Sequence, residues 1–291
     1  MRCIQRSLLR SAIAPLLCVL SLMFVGSAAA VETHVRYFPV GPIYEYRWRL
    51  LDLVLAKTRA ANESVVLDPF ATEVTQNRGI ELLQQGDIDV IALGTNAERE
   101  AGMLPIKIDI LRGIVGYRIF VIREADKERI ARLDVSALRT ELTFGLNSQW
   151  ADLPVMRANG FAVETSSSYE NLFAMLVAHR FDAFPRGLNE AGRELEERHD
   201  RYPQLAVEQT KAVFFPFPIY FWVKKGNTQL AQRIERGLKL ALADGSFRKL
   251  FESYHAAEIA ALASARRQVI RLDNPVLPAD TPPVDTSWWW R

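Results

Sequence analysis

Two stretches of this chain run through the same phrase roughly ninety residues apart. Residues 79–100 (GIELLQQGDIDVIALGTNAERE) carry Leu82 and Leu83 on a helical pattern, then Gly86, Asp87, Ile88, Asp89 and Val90, then Arg99. Residues 171–194 (NLFAMLVAHRFDAFPRGLNEAGRE) carry Leu172, Met175 and Leu176, then Arg180, Phe181, Asp182 and Ala183, then Arg186. A recurring helix–turn–strand unit restricts the chain to two similar α/β lobes, and such a pair binds its ligand in the crevice between them.

The first 30 residues read as a secretory signal peptide: Arg2, Arg6 and Arg10, an apolar stretch from Ala12 to Val25, and Ser27 to Ala30 as a small-residue cleavage site. Cleavage is expected near Ala30, which makes the protein periplasmic. Both cysteines, Cys3 and Cys18, fall in this segment, so the mature chain has neither a disulfide nor a thiol for catalysis or metal binding. Removing three arginines and no acids leaves 33 basic against 34 acidic residues, a formal charge of −1. No basic surplus remains to hold a nucleic acid or an anionic membrane. The mature chain also lacks an apolar run of about 18 residues, so no membrane insertion is expected.

Strand Val35–Phe38, helix Trp48–Ala60, strand Val65–Leu67, helix Thr75–Gln85 and strand Asp89–Leu93 follow in β-α-β-α-β order. After a strongly β run from Gly116 to Arg123 the pattern restarts at Leu142. It returns through Ala212–Lys224, an aromatic β segment, to helices over 228–243 and 246–264. The fold expected is an α/β two-lobe clamshell, each lobe a mainly parallel sheet flanked by helices, with two crossover hinge strands. The divisions are 1–30 for the leader, 31–119 with 222–264 for lobe 1, 120–221 for lobe 2, and 265–291 for a Pro/Trp-rich tail. Three adjacent tryptophans, Trp288 to Trp290, favour a tail packed on the protein's own surface.

HExxH, GxSxG, Walker and GxGxxG patterns are missing, and no two of the four histidines stand at i, i+4, so no catalytic residue, metal or cofactor is expected. Arg99 lies just past a central strand, where open α/β sheets bind ligands and where a guanidinium grips a carboxylate or phosphate with two parallel hydrogen bonds, or else forms a surface ion pair with Glu98, Glu100 or a neighbouring helix. The turn Gly145–Trp150, with Asn147 and Ser148, offers helix-start N–H groups to an anion, or is simply capped by Ser148. Arg186 follows the second lobe's strand as Arg99 follows the first. Trp150, Tyr117, Tyr44 and Tyr46 are aromatic candidates for the cleft, and Arg78 and Arg118 are weaker ones.

The stretch Leu83–Arg99, with its Gly-x-Ile-Asp strand and Thr-x-x-x-Arg loop, resembles the bacterial extracellular solute-binding family 3, as does Phe181-Asp182-Ala183. These are amino-acid-type periplasmic binding proteins of type II fold, and the resemblance covers about residues 32–255. It implies that Arg99 holds a ligand carboxylate, helped by Asn147 and Ser148. Members commonly carry an acid shortly after the second-lobe Asp for an ammonium, and here Arg186 and Gly187 stand instead. The expected ligand is therefore a small anionic or polar solute rather than a standard amino acid. The implied partner is an inner-membrane permease of an ABC-type transporter or, alternatively, a sensor receptor. A small-acid dehydratase is a third reading, with Glu98 and Glu190 as its nearest carboxylates. The mature chain is expected to be a monomer.

Overall fold

The computed structural model describes residues 31–39, 41–72, 74–264 and 266–290; the expected leader lies outside them. The first lobe runs β1 (Val31–Tyr37), α1 (Glu45–Ala56), β2 (Glu63–Pro69), α2 (Gln76–Gln85), β3 (Ile91–Gly94), α3 (Ala97–Gly102) and β4 (Met103–Ile106). A crossing segment leads to the second lobe, beginning with β5 (Tyr117–Arg123), α4 (Lys127–Arg132), α5 (Val135–Glu141), β6 (Thr143–Asn147) and α6 (Leu153–Ala158). It continues through β7 (Ala162–Ser166), α7 (Tyr169–Val177), β8 (Ala183–Gly187), α8 (Ala191–Glu197), β9 (Leu205–Val207) and β10 (Lys211–Phe214). The chain then crosses back into β11 (Ile219–Lys224), α9 (Thr228–Ala243) and α10 (Ser246–Ser264), and β12 (Gln268–Arg271) finally rejoins the second sheet beside β10.

In the first lobe β1 and β2 pair in parallel, a single parallel bridge from Tyr37 to Val90 carries them onto β3, and β11 lies antiparallel between β3 and β4. The second sheet has the order β12-β10-β5-β8-β6-β7, with β9 on β5. Strands joined through helices pair in parallel there, as the alternating sequence pattern implies. The crossing strand β5 runs antiparallel to β8, β9 and β10, so the sheets are mixed. The result is the α/β clamshell, with Leu50, Leu51, Val54 and Leu55 of α1 buried where that helix packs on α9. Burying each such side chain stabilises the fold by about 1.5–3 kcal/mol.

The repeated phrase folds as one unit twice. In the first copy Thr75 caps α2, and the helix ends on Gly86 at φ 93, in the left-handed region open to glycine. Ser168 caps α7 in the second copy, and His179 takes the same left-handed position at φ 56. The aspartates then do equivalent work. Asp89 accepts the backbone N–H of Arg36 at 2.8 Å, and Asp182 accepts that of Thr143 at 3.0 Å, each fastening its unit to a neighbouring strand.

The aromatic segment read as one strand divides into β10 and β11, which belong to different sheets. Pro216 and Pro218 lie between them, and neither has an N–H to continue a ladder. Asp109 pins this return crossing to the outward one: its carboxylate accepts from Leu111 and Gly113 on one side, at 3.0 and 2.7 Å, and from Ile219 on the other at 3.1 Å. Burial pushes its pKa up to about 6 against those three donors.

The tail packs over these crossings. Trp288 lies edge-on to Phe247 and Phe251 of α10 in the first lobe, while Trp290 packs on Phe214 and Tyr117 in the second. Trp289 is buried, and its indole N–H donates to the Arg112 carbonyl at 2.6 Å. Ion pairs from Asp280 to Lys107 and from Asp285 to Arg112 hold the intervening chain. Truncating a buried indole costs about 3–5 kcal/mol. Trp289→Ala is accordingly expected to lower the urea midpoint of the protein lacking residues 1–30 by that amount of stability, whereas a dangling tail would leave it unchanged.

Candidate functional site

The site begins where the edge of β3 is left free. Strand β1 stops at Tyr37, and Phe38 N–H still reaches the Val90 carbonyl, but the carbonyls of Ala92 and Gly94 on that same side continue past it. Two arginines take them. Arg47 on α1 donates to the Ala92 carbonyl at 3.2 Å, and Arg99 on α3 donates to the Gly94 carbonyl at 2.7 Å. Asn96 caps α3 by accepting the Arg99 backbone N–H at 2.8 Å, which places Arg99 in the first turn beside the strand end. Its other terminal nitrogen donates to the Gln76 side chain and, across the cleft, to the backbone carbonyl of Gln149 at 3.2 Å. Gln149 in turn accepts the Asn77 N–H at 3.2 Å, so both lobes meet here. Arg99 is 8% exposed, and burial pulls its pKa down to about 10 against the attraction of Asp152 and Glu98.

A buried ion cluster lies alongside. Arg118 on β5 bonds Asp152 at 3.0 Å and Glu190 at 3.3 Å. Arg186 on β8 bonds Glu190 at 3.0 Å and Glu194 through its Nε at 2.7 Å, and it reaches the Tyr44 hydroxyl of the first lobe at 3.3 Å. The Arg186 guanidinium also lies 4.5 Å from the Trp150 ring centre, an indole stacked on Phe184. Burial raises the Glu190 pKa, but Arg186, Arg118 and Arg47 together outweigh it and hold the carboxyl below its ordinary value. Burial likewise disfavours the Arg186 cation, and Glu190 and Glu194 overcome it, holding its pKa well above the normal value.

The candidates from the sequence separate into three groups. Arg99, Ser148 and Trp150 line one cavity of about 320 Å³ between the lobes, together with Asn77, Gln84 and Gln149. Tyr44 and Arg186 meet in the adjoining cluster, with Arg47 4.3 Å over the Tyr44 ring. Tyr117 is elsewhere: it packs under Trp289 and Trp290. Successive strand residues face opposite ways, so it is the next residue, Arg118, that turns to the cleft. Tyr46 is core, its hydroxyl bonded to the Ile110 carbonyl at 2.9 Å, and Arg78 is an exposed partner of Glu81.

Three further expectations are corrected. Asn147 does not offer itself to a ligand, because its side chain accepts from the Gln149 N–H at 2.9 Å and donates to the Ser167 carbonyl at 3.0 Å. Ser148 does not cap a helix, since α6 starts only at Leu153. The N–H groups of Ser148, Gln149 and Trp150 are already donated within the turn or to β7, which removes the proposed anion nest. Arg186 lies inside β8 rather than beyond it, so it is no counterpart of Arg99.

No acid stands at position 187, but a carboxylate reaches it from further along. Glu190 accepts the Gly187 N–H at 2.9 Å, and a Cβ at Gly187 would stand only 3.0 Å from the Glu190 carboxylate, so this glycine makes room for it. Asp152, Glu194 and Arg47 were not among the sequence candidates. The spacing Arg186, Glu190, Glu194, two steps of four residues, was the available signal for the cluster.

Breaking a buried ion pair by removing one partner costs about 3–5 kcal/mol, because the other charge is left behind. Glu194→Ala is expected to lose that much stability in urea denaturation. The depressed Glu190 pKa adds a pH signature: its stabilisation is in full effect above its unfolded pKa of 4.5 and is lost as pH falls through the lower folded value. Glu190→Gln should therefore flatten the acid limb of the stability curve.

No protein-family model and no curated protein matches the chain. Solved structures do. An ancestral arginine-binding protein bound to arginine matches at TM-score 0.56 and 18% identity, over 77% of this chain and 97% of its own. An ancestral amino-acid-binding protein, a precursor of cyclohexadienyl dehydratase, matches at 0.55 and 16%, over 77% and 94%. The substrate-binding protein of an amino acid ABC transporter matches at 0.52 and 12%, over 77% and 98%. The chain thus has the two-lobe type II fold shared by these amino-acid-binding proteins.

Proposed function

We propose that this protein is a periplasmic solute-binding protein that captures a small anionic or polar solute between its lobes and delivers it to an ABC-type transporter. The observation that carries this reading is Arg99: a buried guanidinium at a strand's C-terminal end, without a carboxylate partner among the described residues, in a cavity with one wall from each lobe. Opening the lobes breaks its bond to the Gln149 carbonyl and frees that N–H for a carboxylate; closing then buries the solute against the polar groups of both lobes.

Charge supports an anion. Arg47, Arg99, Arg118 and Arg186 face Asp152, Glu190 and Glu194, and the three carboxylates are engaged by Arg118 and Arg186. Although Glu190 stands where an ammonium-binding acid is expected, two guanidiniums already neutralise it. That commitment also argues against Glu190 as the acid or base of a dehydratase, since proton transfer would leave buried cations unpaired. Among the described residues no helix is long and apolar enough to cross a membrane.

Charge-assisted hydrogen bonds are worth about 1.5–3 kcal/mol each. In isothermal titration of the protein lacking residues 1–30 against small carboxylates and amino acids, Arg99→Ala is expected to weaken the best ligand about 100-fold. Unchanged affinity would remove Arg99 from the site.

A further inference from the structure

We propose that Arg47 is a second anion-recognition residue of this cleft, and that the captured solute carries two carboxylates, one for Arg47 and one for Arg99. The proposal rests on the solute-binding reading above and names the chemistry of its ligand.

The two guanidiniums are arranged as a pair by the strand edge on which both lean. The carbonyls they lean on, Ala92 and Gly94, lie two residues apart on one side of β3, a separation of roughly 7 Å at the usual strand rise. A carboxylate at each guanidinium therefore fits the two ends of a short-chain diacid. Arg47 is only 7% exposed and is positioned by its stack on Tyr44, yet among the described residues the bond to Ala92 is its single hydrogen bond. A guanidinium has five N–H donors in a fixed fork. The Nε atoms of Arg118 and Arg123 are sealed in protein without partners; no Arg47 nitrogen is. Its unused donors are thus not sealed in protein, and Arg47 stands in the cluster that adjoins the cavity.

Neighbouring charge sharpens the demand. Burial, and then Arg186 and Arg118, disfavour the Arg47 cation, while Tyr44 and Glu190 favour it. Glu190 is shared with both of those arginines and makes no ion pair with Arg47. An arriving carboxylate gives Arg47 the partner that the fold withholds. A purely structural arginine tying α1 to β3 would have no need of that side of its fork.

Two solutes share this chemistry, a plain diacid and an acidic amino acid, which adds an ammonium. Asp152 Oδ1 is buried and without a partner among the described residues, and it would accept that ammonium.

The test is titration calorimetry on the protein lacking residues 1–30, using glutarate, glutamate, and their counterparts with a single carboxylate, butyrate and glutamine. Glutarate or glutamate is expected to bind at least 30-fold more tightly than its counterpart. Arg47→Gln should collapse that ratio below threefold, and Arg47→Lys, which keeps the charge but not the fork, should retain part of it. Unfolding midpoints identify any variant that is merely misfolded, in which case the wild-type ratio and the lysine variant decide. If glutamate exceeds glutarate, Asp152→Asn should abolish that margin. Equal binding of diacids and monoacids, or a ratio that survives Arg47→Gln, overturns the proposal while leaving solute binding intact. Failure of every small solute to bind overturns both readings.

Discussion

Where the lobes meet, four buried guanidinium groups stand against three buried carboxylates, and the cleft takes its shape from this imbalance. Removing charges from water is costly, and only close pairing offsets it. Arg118 and Arg186 each bond two carboxylates, so the charges of the second lobe are paired with one another, with Asp152 Oδ1 left open. Arg47 and Arg99 are held by single strand carbonyls, amides and an aromatic face, so the first lobe presents cations that still attract an anion.

Motion of these walls depends on how the lobes are joined. Two crossing segments touch through Asp109, and the tail lies over both, with tryptophans seated on each lobe. At the far side Arg193 of α8 bonds Glu258 of α10 at 2.6 Å, a further contact between lobes. In the proposed function, opening would keep Asp109 in register while Arg193, Arg99, Arg186 and Gln149 release their partners in the other lobe. Such a hinge moves rigid bodies through a few torsions and leaves each lobe's core undisturbed.

The clamshell was legible because the repeated phrase encodes physics the fold uses twice: a capped helix, a left-handed residue, and an aspartate that fastens the next strand. The second copy uses His179 where the first has Gly86, which hides the turn from a reading based on glycine alone. Arg99 could be placed from its position after a strand. The rest of the site could not, because it arises from neighbours distant in sequence. Whether Tyr117 or Arg118 faces the cleft is a matter of one residue of register. Glu190 reaches back over Gly187, so an acid sought at one position was supplied from another. Pro216 and Pro218 did signal the break between β10 and β11, though the aromatic run around them concealed it.

In the proposed function, a carboxylate solute draws the two lobes together by replacing the Arg99 to Gln149 contact. Residues 31–291 contain no cysteine, so exposed Gln85 in the first lobe and Arg157 in the second can be changed to cysteine and spin-labelled selectively. Pulsed electron resonance should then show a distribution with a long component in the absence of solute, which collapses to one shorter distance at saturating carboxylate. A distribution unaltered by a solute that calorimetry shows to bind would contradict the account.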